Sequence, residues 1–280
     1  MTKVAGVVGN PIGHSLSPVI HGAWIEAAGL DAAYFAAEPE RDGFRAFVRT
    51  PGPVPGFGRA DFCGLNVTAP FKGEALAIAD LASRRAQRAG AANLLIFETG
   101  GRVLADNTDG EGLLAAFAEQ APGFDLGAGP VVILGAGGAA RGAVAAFLDA
   151  GAPGVRLVNR SAGRAAALAA EFGATVEVIE PNAMVAALAD ANAIINATPA
   201  APDIPLGRAA ASAVAMDMVY RPVITPFLAS AQAAGLRTVD GLAMLIGQAR
   251  PSFTAFYGLE PPDVDVRTRA IDFLADEASA

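Results

Sequence analysis

Apolar positions along the chain fall into short continuous runs closed by glycine, proline or asparagine, and these runs alternate with stretches of helical spacing. Val4 to Gly9 is the first run; it ends in Gly9-Asn10-Pro11 and predicts a buried strand. After the loop Ile12-Gly13-His14-Ser15-Leu16, the pair Ser17-Pro18 reads as a helix start, a capping hydroxyl followed by proline at the first helical position. That helix runs through Ile20, Trp24 and Ala28 to Gly29. Ala32 to Glu38 predicts a second strand, Phe44 to Val48 a short helix and Pro51 to Gly56 an irregular loop. Phe62 to Thr68 predicts a third strand, after which Pro70 opens a helix with Lys72 in its first turn. Leu94 to Phe97 and Val103 to Ala105, joined by Thr99-Gly100-Gly101-Arg102, carry a hairpin signal. A helix from Gly112 to Glu119 follows.

Beyond the Gly/Pro-rich stretch from Pro122 to Pro130 the pattern changes. Val131-Val132-Ile133-Leu134 is continuously apolar, as in a strand buried on both faces of a parallel sheet. It enters a glycine loop and a helix reaching Asp149. Strands at Val155–Asn159, Thr175–Ile179, Ala193–Thr198, Val214–Val219 and Thr238–Val239 then alternate with helices at Ala165–Phe172, Ala183–Ala189, near Arg208 and at Pro226–Ala234. Such alternation predicts a doubly wound parallel sheet. The last helices, Leu242 to Tyr257 and Val266 to Leu274, have no following strand and are expected to return to the first domain.

Composition narrows the function classes. Hydrophobic residues make up 53% of the 280, and alanine supplies much of that share, so sizeable cores are expected without a membrane protein. No uninterrupted apolar run approaches the roughly 18 residues of a spanning helix. The N-terminus reads as a strand and not a signal peptide, and one cysteine, Cys63, fits a small strand residue in a reducing cytoplasm. A net charge of -8 with no basic run argues against nucleic acid, while a few local donors still suit a small anionic ligand. Two histidines and one cysteine make no ligand cluster, so no metal is expected. His14 flanks the serine loop; His21, in the first helix, reads as structural.

Lys72 carries the sharpest chemical hint. Of 20 Lys+Arg residues, only Lys3 and Lys72 are lysine, so arginine serves wherever a solvated charge suffices. An ammonium can give up and regain a proton near neutral pH when its pKa is lowered, and a guanidinium effectively cannot. A cation in the first turn of a helix opposes the helix dipole, which eases deprotonation. The alternative at this point is a stray surface lysine. Ser15 and Ser17 suit a carboxylated or hydroxylated ligand, or serve only loop and cap. Asp106-Asn107-Thr108-Asp109-Gly110 is crowded with capping residues, and taken alone it reads as a plain helix N-cap by Thr108 or Asp109.

The glycine loop has the context that a dinucleotide site needs: a strand before it and a helix after it. Gly135 makes the tight turn, Gly137 lets backbone approach a pyrophosphate, and Ala140 permits close helix packing. Gly135, Ala136, Gly137, Gly138 and Ala139 would surround the phosphates at the helix N-terminus. The next strand ends in Asn159-Arg160-Ser161, with Arg164 close behind and no carboxylate to hold a ribose 2′-hydroxyl. Two guanidiniums suit a 2′-phosphate, so the cofactor reading is NADP; a solvated helix arginine remains open for Arg164.

Taken in order, Ser15-Leu16-Ser17-Pro18, Asn66 to Lys72, Gly90-Ala91-Ala92-Asn93, Asn107-Thr108-Asp109-Gly110, the glycine loop, Asn159-Arg160-Ser161, Asp217-Met218-Val219-Tyr220, Asp240-Gly241-Leu242 and Gln248-Ala249 resemble the shikimate dehydrogenase family over nearly the whole chain. The resemblance implies an α/β protein with an N-terminal three-layer α/β substrate domain and a C-terminal Rossmann-like doubly wound parallel sheet. The domains it implies are residues 1–108, completed by helices 242–280, and an NADP-binding domain at 109–241. The implied reaction is the NADPH-dependent, reversible reduction of 3-dehydroshikimate to shikimate, in aromatic amino acid biosynthesis. Lys72 and Asp109 are then the catalytic pair. Ser15, Ser17 and Tyr220 hold the substrate carboxylate, and Asn66, Thr68, Asn93, Asp109 and Gln248 the ring hydroxyls. Met218 and Gly241, with Thr198, line the nicotinamide side. The chain departs from the family at Leu94, where threonine is usual, and at Pro199, where serine is usual; both are expected to alter loop detail and cofactor contacts more than chemistry. A monomer or homodimer is expected. The alternatives are a quinate/shikimate dehydrogenase with broader cofactor use, a non-catalytic metabolite-binding relative, and a methylene-folate dehydrogenase, which leaves the serine loop and Asn107 to Gly110 unexplained.

Overall fold

The first apolar run forms β1 (Lys3–Val8), in which Val4, Ala5, Val7 and Val8 are 3% exposed or less. The protein is described by a computed structural model over residues 2–49, 61–200 and 202–279. The expected loop from Pro51 to Gly56 lies outside the described residues. The chain divides into two units, Met1–Thr108 with Gln248–Ala280, and Asp109–Gly247.

In the first unit β1 is followed by α1 (Ser17–Ala27), β2 (Ala32–Ala37), α2 (Phe44–Arg49), β3 (Asp61–Val67) and α3 (Lys72–Ile78). Then come β4 (Leu81–Ala82), α4 (Arg84–Ala89) and the hairpin β5 (Leu94–Phe97) and β6 (Val103–Asp106). The six-stranded sheet has the order β2-β1-β3-β5-β6-β4. β1 runs parallel to both β2 and β3, β5 is antiparallel to β3 and β6, and β4 is parallel to β6. Alternation along β3 sorts its residues between two faces. Leu65 and Val67 join Phe44 and Val48 of α2 and Phe71, Ala75 and Ile78 around α3 in one core cluster. Gly64 and Asn66 face the other way, toward a helix from the far end of the chain: Asn66 reaches Ser252, and a Cβ at Gly64 would lie 2.2 Å from the Leu95 carbonyl and 2.8 Å from the Phe256 ring. Glycine at 64 is therefore what lets that helix lie close to the sheet.

Trp24 and His21 of α1 are fully buried. The His21 ring stacks on Tyr34 at 4.0 Å, meets Trp24 edge-on at 5.6 Å, and Trp24 meets Phe253 at 5.5 Å. The structural reading of His21 fits this setting, in which burial drops its pKa from 6.5 to about 3. The unfolded chain takes up a proton at His21 below 6.5 and the folded chain does not until about 3, so folding stability is lost as pH falls through that window. Urea titrations between these limits are expected to show a shallower fall for His21→Phe, which keeps the stack without a titrating nitrogen.

The second unit begins with α5 (Asp109–Gln120) and continues β7 (Val131–Leu134), α6 (Gly138–Asp149), β8 (Val155–Val158), α7 (Ala162–Phe172) and β9 (Val176–Val178). It goes on through α8 (Met184–Ala189), β10 (Ala193–Asn196), β11 (Val214–Asp217), α9 (Pro226–Ala233) and β12 (Arg237–Val239). All pairings in its six-stranded sheet are parallel, in the order β12-β11-β10-β7-β8-β9. Counted from β7, that is the doubly wound dinucleotide-binding order, with its reversal between β7 and β10. Both faces of β7 are covered: Val131 and Ile133 pack with Leu113 and Phe117 of α5 and Phe147 of α6, while Val132 and Leu134 pack with Leu188 of α8 and Phe227 of α9. The continuous apolar run at 131–134 has this physical cause.

α10 (Gly241–Tyr257) belongs to both units, which part between Gly247 and Gln248, inside the helix and later than the expected 241/242 boundary. α11 (Val266–Ser279) lies in the first unit, where its Arg269 pairs with Glu26 of α1 at 2.6 Å. Several local expectations change. Ser17 is not a side-chain cap; it is the first helical residue, and Ser15 Oγ accepts its N–H at 3.3 Å. Pro70 precedes α3 instead of opening it, and Lys72 is the first helical residue. α5 starts at Asp109 and α7 at Ala162, both earlier than expected. β4 and α4 were not expected; the sequence Arg84-Arg85-Ala86-Gln87-Arg88 has too few apolar residues for a periodic signal, and the Ser83 hydroxyl starts α4 by accepting the Ala86 N–H at 3.1 Å. Cys63 is half-buried in β3.

Candidate functional site

In the first unit the sheet itself gathers the candidates. β1 and β3 are parallel, so the loops that follow them leave from the same end. Those loops are tied together: Thr68 N–H donates to the Val8 carbonyl at 2.9 Å and Asn10 N–H to the Ala69 carbonyl at 3.1 Å. A Cβ at Gly9 would lie 2.4 Å from Thr68 Cγ2, so glycine there allows the approach. β5 is antiparallel to β3, which sets the start of β5 beside the end of β3; Val67 N–H donates to the Asn93 carbonyl at 2.8 Å. β6 ends there too, with Asp106 opposite Leu94. One end of one sheet thus carries Ser15, Ser17, Asn66, Thr68, Asn93 and Thr108. Lys72 joins them at the start of α3, half-buried, where its carbonyl accepts the Ala92 N–H at 2.8 Å.

Buried amides hold this end rigid. Asn93, 2% exposed, accepts the Thr108 N–H at 2.8 Å and donates to Thr108 Oγ1 at 3.0 Å and Gln248 Oε1 at 3.1 Å. Thr108 Oγ1 donates to the Gln248 carbonyl at 3.0 Å. Asn66 contacts Tyr34, Ser252 and Asn93. The Asp106 carboxyl, though half-buried, is held below its ordinary pKa by Arg85 and the Ser83 hydroxyl, at 2.5 Å each. Tyr34, Ser252 and the internal bonds of Thr108 escaped the sequence reading. Ser252 had a signal: it follows Gln248 by four residues on one helix face. Tyr34 had none, since it lies in an otherwise apolar strand. His14 is exposed.

In the second unit the glycine loop opens at the reversal point of the sheet. Gly135 has φ +122, and a Cβ there would sit 3.1 Å from the Ala197 carbonyl and from Thr198 Cγ2, on the loop after β10. Thr198 is fixed by its hydroxyl, which reaches Asn196 Oδ1 and the Ala200 carbonyl at 2.7 Å each. A Cβ at Gly137 or Gly138 would meet nothing within 4 Å, so there is room beside the backbone at the start of α6. N–H groups in the first turn of that helix have no partner within it. Ala140 is fully buried against the sheet. Past β8, Asn159 Nδ2 donates to the Ser161 carbonyl at 2.9 Å, and Arg160 and Arg164 are exposed. These groups fit a dinucleotide that carries an extra phosphate.

The Asp217 to Tyr220 segment is built on a buried network. Asp217, 1% exposed, accepts Asn196 Nδ2 at 3.1 Å, the Val219 N–H at 3.0 Å and the Thr225 hydroxyl at 2.6 Å. A Cβ at Gly241 would lie 2.6 Å from the Val219 carbonyl and 2.8 Å from that of Met218, so Met218 and Gly241 are brought together. Asp240 caps α10 through the Ala243 N–H at 2.9 Å and accepts Gln120 Nε2 at 3.0 Å. Burial pushes the Tyr220 hydroxyl above its ordinary pKa. Asp109 is the first residue of α5 and half-buried. Among the described residues no cluster is placed to hold a metal ion, and no helix is long and apolar enough to cross a membrane.

Comparison with known proteins bears on both units. Residues 7–95 match the family model of the shikimate dehydrogenase substrate binding domain, and residues 117–224 that of shikimate / quinate 5-dehydrogenase. The chain is 55% identical to the shikimate dehydrogenase (NADP(+)) of Caulobacter vibrioides, across 98% of this chain and 96% of that one. It is 43% identical to the protein of the same name from Cereibacter sphaeroides, across 95% of each chain. Among solved structures, shikimate 5-dehydrogenase from Thermus thermophilus in complex with NADP(H) and shikimate superposes with a TM-score of 0.82 at 34% identity, covering 99% of both chains.

Proposed function

The chain belongs to the shikimate dehydrogenase family, and from that premise we propose that it reduces 3-dehydroshikimate to shikimate with NADPH, reversibly, in aromatic amino acid biosynthesis. The observation that carries this reading is that the segments bearing Ser15, Ser17, Asn66, Thr68 and Asn93, neutral hydrogen-bonding residues, leave the same end of one sheet at which α3 starts with Lys72. The unit Met1–Thr108 with Gln248–Ala280 binds the hydroxy acid, and Asp109–Gly247 binds the cofactor.

NADPH, when bound, supplies the hydride. What the chain supplies is position and a proton. The Ser15 and Ser17 hydroxyls, with Tyr220, hold the carboxylate. Asn66, Thr68, Asn93, Asp109 and Gln248 hold the ring hydroxyls. The oxygen of the reduced carbonyl needs a proton, which the Lys72 ammonium donates and, in the reverse direction, takes back. Asp109 orients that ammonium and holds the hydroxyl. Gly135, Ala136, Gly137, Gly138 and Ala139 take the pyrophosphate at the N-terminus of α6. Asn159, Arg160, Ser161 and Arg164 take the phosphorylated ribose, and Thr198, Met218 and Gly241 line the nicotinamide. The reaction is assigned to the cytoplasm, in a monomer or homodimer.

Replacing Arg160 and Arg164 together by serine is expected to raise KM for NADP by about 10- to 100-fold, the worth of lost charge-assisted bonds, and to leave KM for NAD unchanged. Steady-state kinetics with each cofactor checks this. The function itself is tested by incubating the protein with 3-dehydroshikimate and NADPH and identifying the product. Shikimate formed in step with NADPH loss is the expected result; NADPH binding with no product would overturn the substrate assignment.

A further inference from the structure

The Asn66 side chain, 5% exposed, is bonded on three sides. Its Nδ2 donates to Ser252 Oγ at 2.8 Å and to the Asn93 carbonyl at 3.2 Å, and its Oδ1 accepts the Tyr34 hydroxyl at 2.8 Å. A side-chain amide has two N–H groups and two acceptor directions, so both donors are engaged and one acceptor direction remains. The amide cannot turn over. Ser252 gives its own hydrogen to the Gln248 carbonyl at 3.2 Å, one turn back on α10, so toward Asn66 it can only accept. The Asn93 carbonyl likewise only accepts, and a flipped amide would set Oδ1 against two acceptors. On the other side Tyr34 keeps its proton, because burial raises its pKa well above the ordinary value, with Tyr257 adding to the effect. One chain of bonds thus runs Tyr34, Asn66, Ser252, Gln248.

We propose that Tyr34 and Ser252 are positioning residues that lock the Asn66 amide so that it offers a ligand one acceptor and no donor. A group of that kind selects a hydroxyl and rejects a carbonyl or ether oxygen at the same place, because two acceptors then face each other with no hydrogen between them. The hydroxyl it reads is one that stays a hydroxyl in both the oxidised and the reduced ligand. This rests on the dehydrogenase reading of the site.

The test compares the wild-type protein with Tyr34→Phe and Ser252→Ala. Tyr34→Phe keeps the ring on His21 and removes only the hydroxyl; Ser252→Ala attacks the lock from the other side, should either variant fold poorly. In both, KM for shikimate is expected to rise about 5- to 10-fold, with kcat and KM for NADP within about twofold of wild type. Among the monodeoxy analogues of shikimate, one should show the same KM in wild type and variants, since it lacks the hydroxyl that Asn66 reads. A purely structural role would lower the thermal midpoint and leave the KM for shikimate where it was. Unchanged shikimate KM in folded variants of an active protein overturns the positioning role alone. A wild-type protein inert toward shikimate overturns the functional reading, and this inference with it.

Discussion

Lys72→Met is expected to lower kcat by about 10²- to 10⁴-fold, the usual worth of a positioned proton donor, while shikimate and NADP still bind. The fold has little reason to suffer. Lys72 is half-buried, methionine matches its length, and the Ala92–Lys72 bond at 2.8 Å is made by the backbone carbonyl, which the substitution keeps. The expected loss lies in chemistry: with the ammonium gone, the oxygen that receives charge must find its proton in solvent. Stopped-flow measurement of hydride transfer, with shikimate binding measured separately, distinguishes this from a binding defect. Full turnover in the folded variant contradicts the proton-transfer role.

Asp109→Asn should cost roughly 10²-fold or more in kcat, comparable to misplacing a catalytic group by an ångström. Asparagine keeps the size and shape of aspartate at the first helical position and forfeits about 1 kcal/mol or less of helix-dipole interaction, so a residue that only starts α5 would tolerate the change. The stability of Asp109→Asn should therefore stay close to wild type while turnover falls. Equal turnover in the two proteins would reduce Asp109 to a structural residue. Thermal unfolding and steady-state kinetics on the same preparation give both answers.

Much of this was legible in the sequence because two kinds of signal agree there. The doubly wound unit shows itself in continuous apolar runs such as Val131–Leu134, which arise because α5 and α6 cover one face of the strand and α8 and α9 the other. The glycine loop is readable since Gly135 needs its positive φ and closeness to Ala197. The Lys72 signal came from composition, one of two lysines in a chain that otherwise uses arginine. What sequence could not give was tertiary. Ser17 has the residue type of a cap, yet the cap-like bond comes from Ser15, because the loop turns one residue earlier. Asn66, expected to serve a ligand, is also bonded to Tyr34, Ser252 and Asn93, which lie 32, 186 and 27 residues away. No window of sequence contains those partners. The division between the units inside α10 was hidden for the same reason: helical periodicity runs unbroken through Gly247 and Gln248.

The central claim is tested most directly by oxidation kinetics of the purified protein with shikimate or quinate, each paired with NADP or NAD, following reduced nicotinamide by absorbance. A kcat/KM for shikimate with NADP well above the other pairs is expected, with NAD weakened because Asn159-Arg160-Ser161 brings no carboxylate to hold a bare ribose 2′-hydroxyl. Equal or greater efficiency with quinate, or with NAD, would contradict it.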